Sequence, residues 1–261
     1  MMMSNHFFHL VKYSPWPILV ALNLINLATG LVKSITNYSF FFFFFFLMIN
    51  ILIMYQWWRD VVRESLYEGF RSTVINYMIS AGMIFFIVSE IWFFASFFWA
   101  YFYYSLSPDM MMGTIWPPYN VIPMSFMDIP LLNTFILLMS GFFVTWSHYE
   151  LTMNNFLKST ISLMMSIFLG IYFMAIQSYE YLNSNFSFND SVFGNSFFIL
   201  TGFHGLHVTI GLIFLISMKS QLLSKKFSSI NLYGFEYSIW YWHFVDIIWL
   251  CLFISVYWWS M

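Results

Sequence analysis

The chain has 261 residues, of which 61% are hydrophobic and only 8% are charged, with a formal net charge of -2. Soluble globular domains carry roughly 25% charged residues, so this composition and a mean hydropathy of +0.76 exclude a soluble enzyme. The charge balance offers no basic field for nucleic acid, and we expect no nucleic-acid partner. The lone Cys251 excludes a disulfide or a cysteine zinc site within the chain. The composition therefore predicts an integral membrane protein.

Seven apolar stretches are long enough to cross a bilayer as helices, since a span needs about 20 residues at a rise of 1.5 Å per residue. Their approximate bounds are 15–32, 40–58, 77–104, 129–149, 161–179, 193–218 and 239–259. Runs this long and continuous favour helices over the alternating strands of a membrane barrel. The sequence thus predicts an all-α polytopic membrane protein with one membrane domain, 1–261.

A run of seven Phe residues, 40–46, opens the second stretch. Such a run satisfies hydropathy without specifying a contact, so we interpret it as lipid-facing.

Lysine and arginine are distributed unevenly between the two sides of this helix order. If the loops alternate, only Lys33 lies on the side opposite the N-terminus. The other eight cations lie on the N-terminal side: Lys12, Arg59, Arg63, Arg71, Lys158, Lys219, Lys225 and Lys226. The positive-inside rule therefore places the N-terminus on the cytoplasm-like side and the C-terminus opposite. We expect Glu180, directly after the fifth stretch, to lie in a loop on the C-terminal side.

Glu90 lies near the middle of the third stretch, where ionisable groups are rare and point to function. Its helical neighbours three and four positions away supply no cation: Phe86, Ile87, Phe93 and Phe94. Because lipid disfavours the charged form, we expect this carboxyl to hold its proton. Two interpretations remain open, a carboxyl that accepts protons or contacts lipid, and an acid hydrogen-bonded to a neighbouring helix.

Two polar pairs at three-residue spacing lie in the last two stretches. His204 and His207 belong to Gly-Phe-His-Gly-Leu-His, and His243 and Asp246 lie in the final stretch. Each pair shares one helix face, and His207 can meet Asp246 if the two helices are neighbours. A metal site is conceivable from these groups, but haem between two His requires ligands on different helices that face a wide gap. We therefore expect a buried polar network and no metal site.

The string Tyr55-Gln-Trp-Trp-Arg-Asp-Val-Val-Arg-Glu-Ser65 marks the point where the second stretch leaves the membrane. Arg59 and Arg63 share one helical face, and Trp57 and Trp58 lie at headgroup level. Tryptophan and arginine at this depth suit a phospholipid phosphate, which Arg binds in a bidentate way. The alternative is an ordinary aromatic belt with cationic anchors.

Eight strings follow one another along nearly the whole chain. They are Ser14-Pro-Trp-Pro17, Tyr55 to Ser65, Gly82 to Glu90, Trp116-Pro-Pro118, Pro130 to Thr134, Thr201 to His207, Gly234-Phe-Glu236 and Trp240 to Asp246. In this order and spacing they resemble the family of subunit III of mitochondrial cytochrome c oxidase. The resemblance implies seven transmembrane helices around a lipid-filled V-shaped cleft, with helices I–II at about 15–58 and helices III–VII at about 77–259.

The resemblance also implies a non-redox component of the terminal oxidase, which transfers electrons from cytochrome c to oxygen and pumps protons. The haem and copper centres are expected in the partner subunits I and II, whereas this chain holds structural phospholipids and contacts other oxidase subunits. It implies the mitochondrial inner membrane, with the N-terminus in the matrix and the C-terminus in the intermembrane space. Glu90 matches the family's intramembrane carboxyl facing subunit I. The implied role is to hold lipid against subunit I, stabilise the binuclear centre during turnover and support proton uptake from the matrix side.

Two departures from the family concern the lipid site. His residues usually follow the position of Gly69, whereas this chain reads Phe70-Arg71, and Gln221 replaces a usual Arg near the end of the sixth helix. We expect Arg71 and Lys219 to supply phosphate contacts instead. The expected lipid-binding residues are Trp57, Trp58, Arg59, Arg63, Glu64, Arg71 and Lys219.

Two other classes of function fit the sequence less well. A stand-alone transporter or proton channel with Glu90 on its pathway would tend to show internal repeats or broken helices, and the sequence has neither. A haem-binding redox subunit that uses His204, His207 or His243 is disfavoured by the ligand spacing.

Overall fold

The computed structural model describes residues 13–66, 73–108, 110, 113–119, 121–227 and 232–260, and within these ranges it contains helices and no strand. The helices are α1 (Trp16–Asn37), α2 (Phe41–Leu66), α3 (Thr73–Leu106), α4 (Ile129–Thr152), α5 (Phe156–Leu182), α6 (Val192–Leu223) and α7 (Tyr233–Leu252), which continues as a π-helix (Phe253–Trp258). Seven are long and apolar enough to cross a membrane. The predicted all-α polytopic class is confirmed.

Local sequence explains where three of these helices begin. Pro17 and Pro130 lie in the first turns of α1 and α4, where a missing backbone N–H costs no helical hydrogen bond. Ser191 caps α6, because its Oγ accepts the Gly194 N–H at 3.1 Å.

Most helices extend beyond the predicted apolar stretches, because backbone hydrogen bonding continues where the flanking residues turn polar. The extension of α5 to Leu182 has a consequence for Glu180, which lies inside the helix and is only 2% exposed. The expectation that Glu180 lies in a loop is therefore wrong.

The chain folds into two compact units, Met1–Ile79 and Ser80–Met261. In the first unit, α1 packs along α2 and side chains join them at two levels. Trp16 Nε1 donates to Asp60 Oδ2 at 2.8 Å, and Asn23 Nδ2 donates to the Phe46 carbonyl at 3.0 Å. Asn23, a polar residue inside the first apolar stretch, thus has a specific partner on α2.

The Phe run has two distinct faces. Phe40, Phe41, Phe44 and Phe45 are at least half exposed. On the other face, a Cβ at Gly30 would lie 3.3 Å from Phe43 Cα and from Phe46 Cδ2, and the Lys33 ammonium lies 4.0 Å from the centre of the Phe42 ring. The helical period separates these faces. Part of the run therefore packs against α1, and the interpretation of the run as lipid-facing does not account for that part.

In the second unit, α4 to α7 form a ring in which consecutive helices pack together and α7 packs back against α4. The fully buried Trp242 of α7 fills the space between them. Its Nε1 donates to Ser140 Oγ at 2.9 Å, while Cβ atoms at Gly170 and Gly211 would lie within 2.9 Å of its ring. Small residues that admit a large ring are typical of helix contacts in membranes, and here they come from α4, α5 and α6.

Candidate functional site

A hydrogen bond between α3 and α6 connects Glu90 to His207. The distance from His207 Nε2 to Glu90 Oε2 is 2.9 Å, and His207 Nδ1 lies 2.7 Å from the Phe203 carbonyl oxygen. A carbonyl only accepts, so Nδ1 carries a hydrogen, and one proton lies between Nε2 and Oε2. The pair is neutral overall whether that proton is on the acid or on the imidazole.

The Glu90 and His207 pair is buried unequally. The His207 side chain is 8% exposed, whereas the Glu90 side chain is 23% exposed. The rings of Phe94, Tyr241 and Phe244 surround the imidazole. The Glu90 carboxyl is thus partly accessible on one side. Its partner, the His207 imidazole, packs among aromatic rings on the other side. This geometry is compatible with both interpretations of Glu90 from the sequence.

The other members of the expected polar network have separate contacts. His243 Nδ1 lies 3.7 Å from Asp246 Oδ2, and His204 Nε2 donates to the Val245 carbonyl at 3.2 Å. Although α6 and α7 are neighbours, His207 therefore bonds to Glu90 of α3, while Asp246 has His243 on its own helix. A Cβ at Gly141 of α4 would lie 2.6 Å from Asp246 Oδ2, so this glycine makes room for the carboxyl.

The described part of the chain brings no three His, Cys, Asp or Glu side chains together as a possible metal site. Glu90 with His207, and His243 with Asp246, are pairs only. That the chain holds no haem or copper stays a prediction from the family resemblance.

Asp60 organises the cationic end of α2. Its Oδ1 accepts from Arg59 Nη2 at 3.1 Å and lies 3.8 Å from Arg63 Nη1, while Oδ2 accepts from Trp16. The acid and the two arginines therefore form one cluster on α2. The Arg63 side chain is 61% exposed and Trp58 is 57% exposed, so both are available to a ligand.

The remaining residues expected to bind lipid are distributed over the chain. Trp57 and Glu64 are half-buried on α2, and Lys219 is half-buried on α6. Arg71 lies outside the described residues, so its position beside a phosphate stays a prediction.

A search of the sequence for ionisable groups at the centre of a span does not identify several polar contacts. Tyr257 OH donates to Glu180 Oε1 at 2.6 Å, and Asn133 Nδ2 donates to Gln177 Oε1 at 3.2 Å. The three-residue spacing of Gln177 and Glu180 in an apolar helix is the available signal, because it puts both groups on one face.

A third such contact lies where α4 ends and α7 begins. His148 Nε2 lies 3.8 Å from Glu236 Oε1. No sequence pattern pairs two residues so far apart along the chain.

Comparisons with known proteins agree with the helices and motifs. The family profile described as Cytochrome c oxidase subunit III matches residues 6–261. Proteins named cytochrome c oxidase subunit 3 from Aedes aegypti and Drosophila melanogaster are each 48% identical over 257 residues, with 98% of this chain and 98% of each relative covered. The protein of that name from Rattus norvegicus is 44% identical over the same length and coverage.

These matches, together with seven apolar helices, fit a protein of the mitochondrial inner membrane. The chain belongs to the cytochrome c oxidase subunit III family and is part of the oxidase complex.

Proposed function

We propose that the chain is a non-redox core subunit that binds phospholipid, stabilises subunit I and supports proton uptake by the oxidase. It contacts subunits I and II, and the haem and copper centres lie in those partners. Its N-terminus lies in the matrix and its C-terminus in the intermembrane space. The uneven distribution of lysine and arginine supports this orientation.

The Arg59, Asp60 and Arg63 cluster is the observation that carries the lipid-binding role. Asp60 uses one carboxylate oxygen for both arginines, so their guanidinium groups stay close together. Guanidinium groups suit the planar, bidentate recognition of phosphate. The exposed Trp58 lies one residue before Arg59 and adds an amphipathic ring at the depth of the headgroups. A phospholipid headgroup combines the features that these side chains would recognise.

Native mass spectrometry of the intact oxidase tests the lipid-binding role. We expect Arg63→Ala to reduce the number of retained phospholipids, because it removes the most exposed guanidinium of the cluster. Lys33→Ala is a matched control, since it removes one cation at the opposite end of the α1 and α2 pair. Equal lipid retention in the two variants would contradict the proposal.

The Glu90 and His207 pair supports the role in proton uptake. One proton is shared between two titratable groups at mid-span, and Glu90 is open on one side. Such a pair can take up or release a proton with little rearrangement of the surrounding helices.

The location of the redox centres is tested by removing the chain from the oxidase. We expect haem and copper content, measured by absorbance and metal analysis, to stay unchanged in the depleted complex. A stoichiometric loss of haem or copper when the chain is removed would overturn this part of the proposal.

A further inference from the structure

An open cavity of about 440 Å³ lies at the turn between α5 and α6. Its volume is within the range of roughly 300–1,000 Å³ that is typical of ligand sites. Four aromatic side chains and one carboxylate contribute to its lining: Tyr181, Phe186, Phe188, Phe198 and Asp190. Both helices are candidate spans, and α5 ends at Leu182 while α6 begins at Val192. The cavity therefore opens at the level where two spans reach the lipid headgroups.

The aromatic rings of the cavity stand at steep angles to one another. The centre of the Phe198 ring lies 5.2 Å from that of Tyr181, with 71° between the ring planes, and 5.8 Å from that of Phe186, with 58° between the planes. Phe186 is only 4% exposed and forms a buried wall, whereas Phe188 is 49% exposed. Rings that meet at such angles can enclose a ligand from more than one side, which a flat stack cannot do.

Contacts with α6 hold the walls of the cavity in place. Tyr181 OH donates to Thr201 Oγ1 at 2.7 Å, which fixes the orientation of the tyrosine ring. A Cβ at Gly194 would collide with the Ser187 carbonyl oxygen, so the loop lies directly against the first turn of α6. A cavity that is already formed spares a ligand part of the cost of ordering the loop.

The carboxylate of Asp190 gives the cavity a negative charge. Its Oδ2 accepts the Ser187 N–H at 2.7 Å, and this backbone hydrogen bond holds the pKa of Asp190 below its ordinary value, so the group is ionised at neutral pH. The sequence has no Lys or Arg between Lys158, near the start of α5, and Lys219, near the end of α6. Both lysines lie at the opposite ends of these helices. The two helices that form the cavity therefore supply no counter-charge for Asp190.

The lining of the cavity suits a cation that carries methyl groups. A primary ammonium has three N–H donors to satisfy. Aromatic faces attract a trimethylammonium group electrostatically without any hydrogen bond, and aromatic cages for quaternary ammonium groups use this attraction. The carboxylate of Asp190 adds a Coulomb attraction to the same charge. An anionic headgroup would meet this carboxylate and no cation, so the lining disfavours it.

We propose that the cavity binds the choline headgroup of a phosphatidylcholine molecule, with the trimethylammonium group among the four rings and beside Asp190. The acyl chains lie along the outer surface of α5, where Tyr179 and Leu182 are 60% and 86% exposed. This lipid site differs in kind from the one proposed at Arg59 and Arg63, because that cluster recognises a phosphate and this cavity recognises an ammonium group. The two proposals can therefore fail independently.

Native mass spectrometry of the intact oxidase, supplied with equal amounts of phosphatidylcholine and phosphatidylethanolamine, tests the role of the charge. Asp190→Asn removes the charge but keeps an oxygen that accepts the Ser187 N–H, and we expect this variant to retain one phosphatidylcholine fewer per complex. Asp128→Asn is the control, because Asp128 precedes α4 at the same end of the bundle and does not line the cavity. Equal retention of phosphatidylcholine in the two variants would overturn the proposal.

The same measurement on Phe188→Leu tests the rings without a change of charge. We expect the loss of one phosphatidylcholine, while the amount of phosphatidylethanolamine stays the same. Phe168→Leu is the control, because Phe168 is an exposed ring near the middle of α5, outside the cavity. If Phe188→Leu lost both lipids to the same extent, or lost no more phosphatidylcholine than the control, the choice of choline would be wrong.

A map of the unmodified oxidase distinguishes a lipid from a neighbouring polypeptide and decides the question if a variant does not assemble. We expect headgroup density in the cavity, with the ammonium group within about 6 Å of the ring centres. A lysine or arginine side chain of another subunit in this position would overturn the proposal, and so would a cavity without headgroup density.

Discussion

His207 on α6 lies 2.9 Å from Glu90 on α3, although 117 residues separate them along the chain. The other imidazole nitrogen, Nδ1, donates a hydrogen bond to the Phe203 carbonyl. The hydrogen bond to Glu90 is thus the only site at which His207 can exchange a proton without losing its orientation.

We predict that Glu90→Gln preserves assembly but lowers proton-coupled turnover. The amide of Gln can donate to His207 Nε2, so the hydrogen bond survives and stability changes by about 1 kcal/mol or less. The amide has no transferable proton. Oxygen consumption and proton uptake by the intact oxidase measure the effect.

Glu236→Gln is the control for this prediction, because it alters an acid that also lies near a His, at the start of α7. Failure of Glu90→Gln to assemble would assign Glu90 a structural role. Turnover equal to that of the control would remove Glu90 from proton uptake.

We predict that Gly141→Ala destabilises the ring of α4 to α7. The added Cβ would lie 2.6 Å from the buried Asp246 Oδ2 and 3.3 Å from His243 Cε1, and overpacking of this kind costs about 1–3 kcal/mol. The temperature at which the oxidase loses this chain is the measurement. Gly82→Ala is the control, since a Cβ at Gly82 meets nothing within 4 Å. Equal temperatures for the two variants would contradict the tight fit of Asp246 against α4.

We predict a similar loss for Trp242→Phe. The smaller ring leaves a void between Gly170 and Gly211 and removes the hydrogen bond to Ser140. Together these changes cost roughly 1–3 kcal/mol. Trp240→Phe, on the same helix but 37% exposed, should have little effect on the same dissociation temperature. A larger effect at Trp240 would show that Trp242 is not the central packing residue.

We predict that Phe42→Leu loosens the α1 and α2 pair. The Lys33 ammonium loses its aromatic partner, a contact of roughly 0.5–1 kcal/mol at an exposed site. Hydrogen exchange at the end of α1, followed by mass spectrometry, should become about two- to five-fold faster. Phe41→Leu is the control, because Phe41 is 69% exposed and faces away from α1. Identical exchange in both variants would show that the contact between Phe42 and Lys33 does not stabilise the pair.

Hydropathy predicts the helices well because a bilayer requires the same apolar length from every span, whichever neighbours it acquires. The same reasoning identifies Glu90, since an ionisable group inside an apolar stretch is visible without any partner. It misplaces Glu180, because the apolar stretch ends before the helix does. The Tyr257 hydroxyl that bonds to Glu180 comes from the far end of the chain, and no local pattern indicates it.

The sequence by itself determined the membrane class, the seven helices, the family and the residues worth testing, because these depend on composition, length and local motifs. Only the tertiary structure decided the pairs. Glu90 bonds to His207, Trp16 bonds to Asp60, and Gly141 admits Asp246. A hydrogen bond or a close approach depends on which faces of two helices meet. That choice is made by packing over the whole unit, and distance along the chain does not encode it.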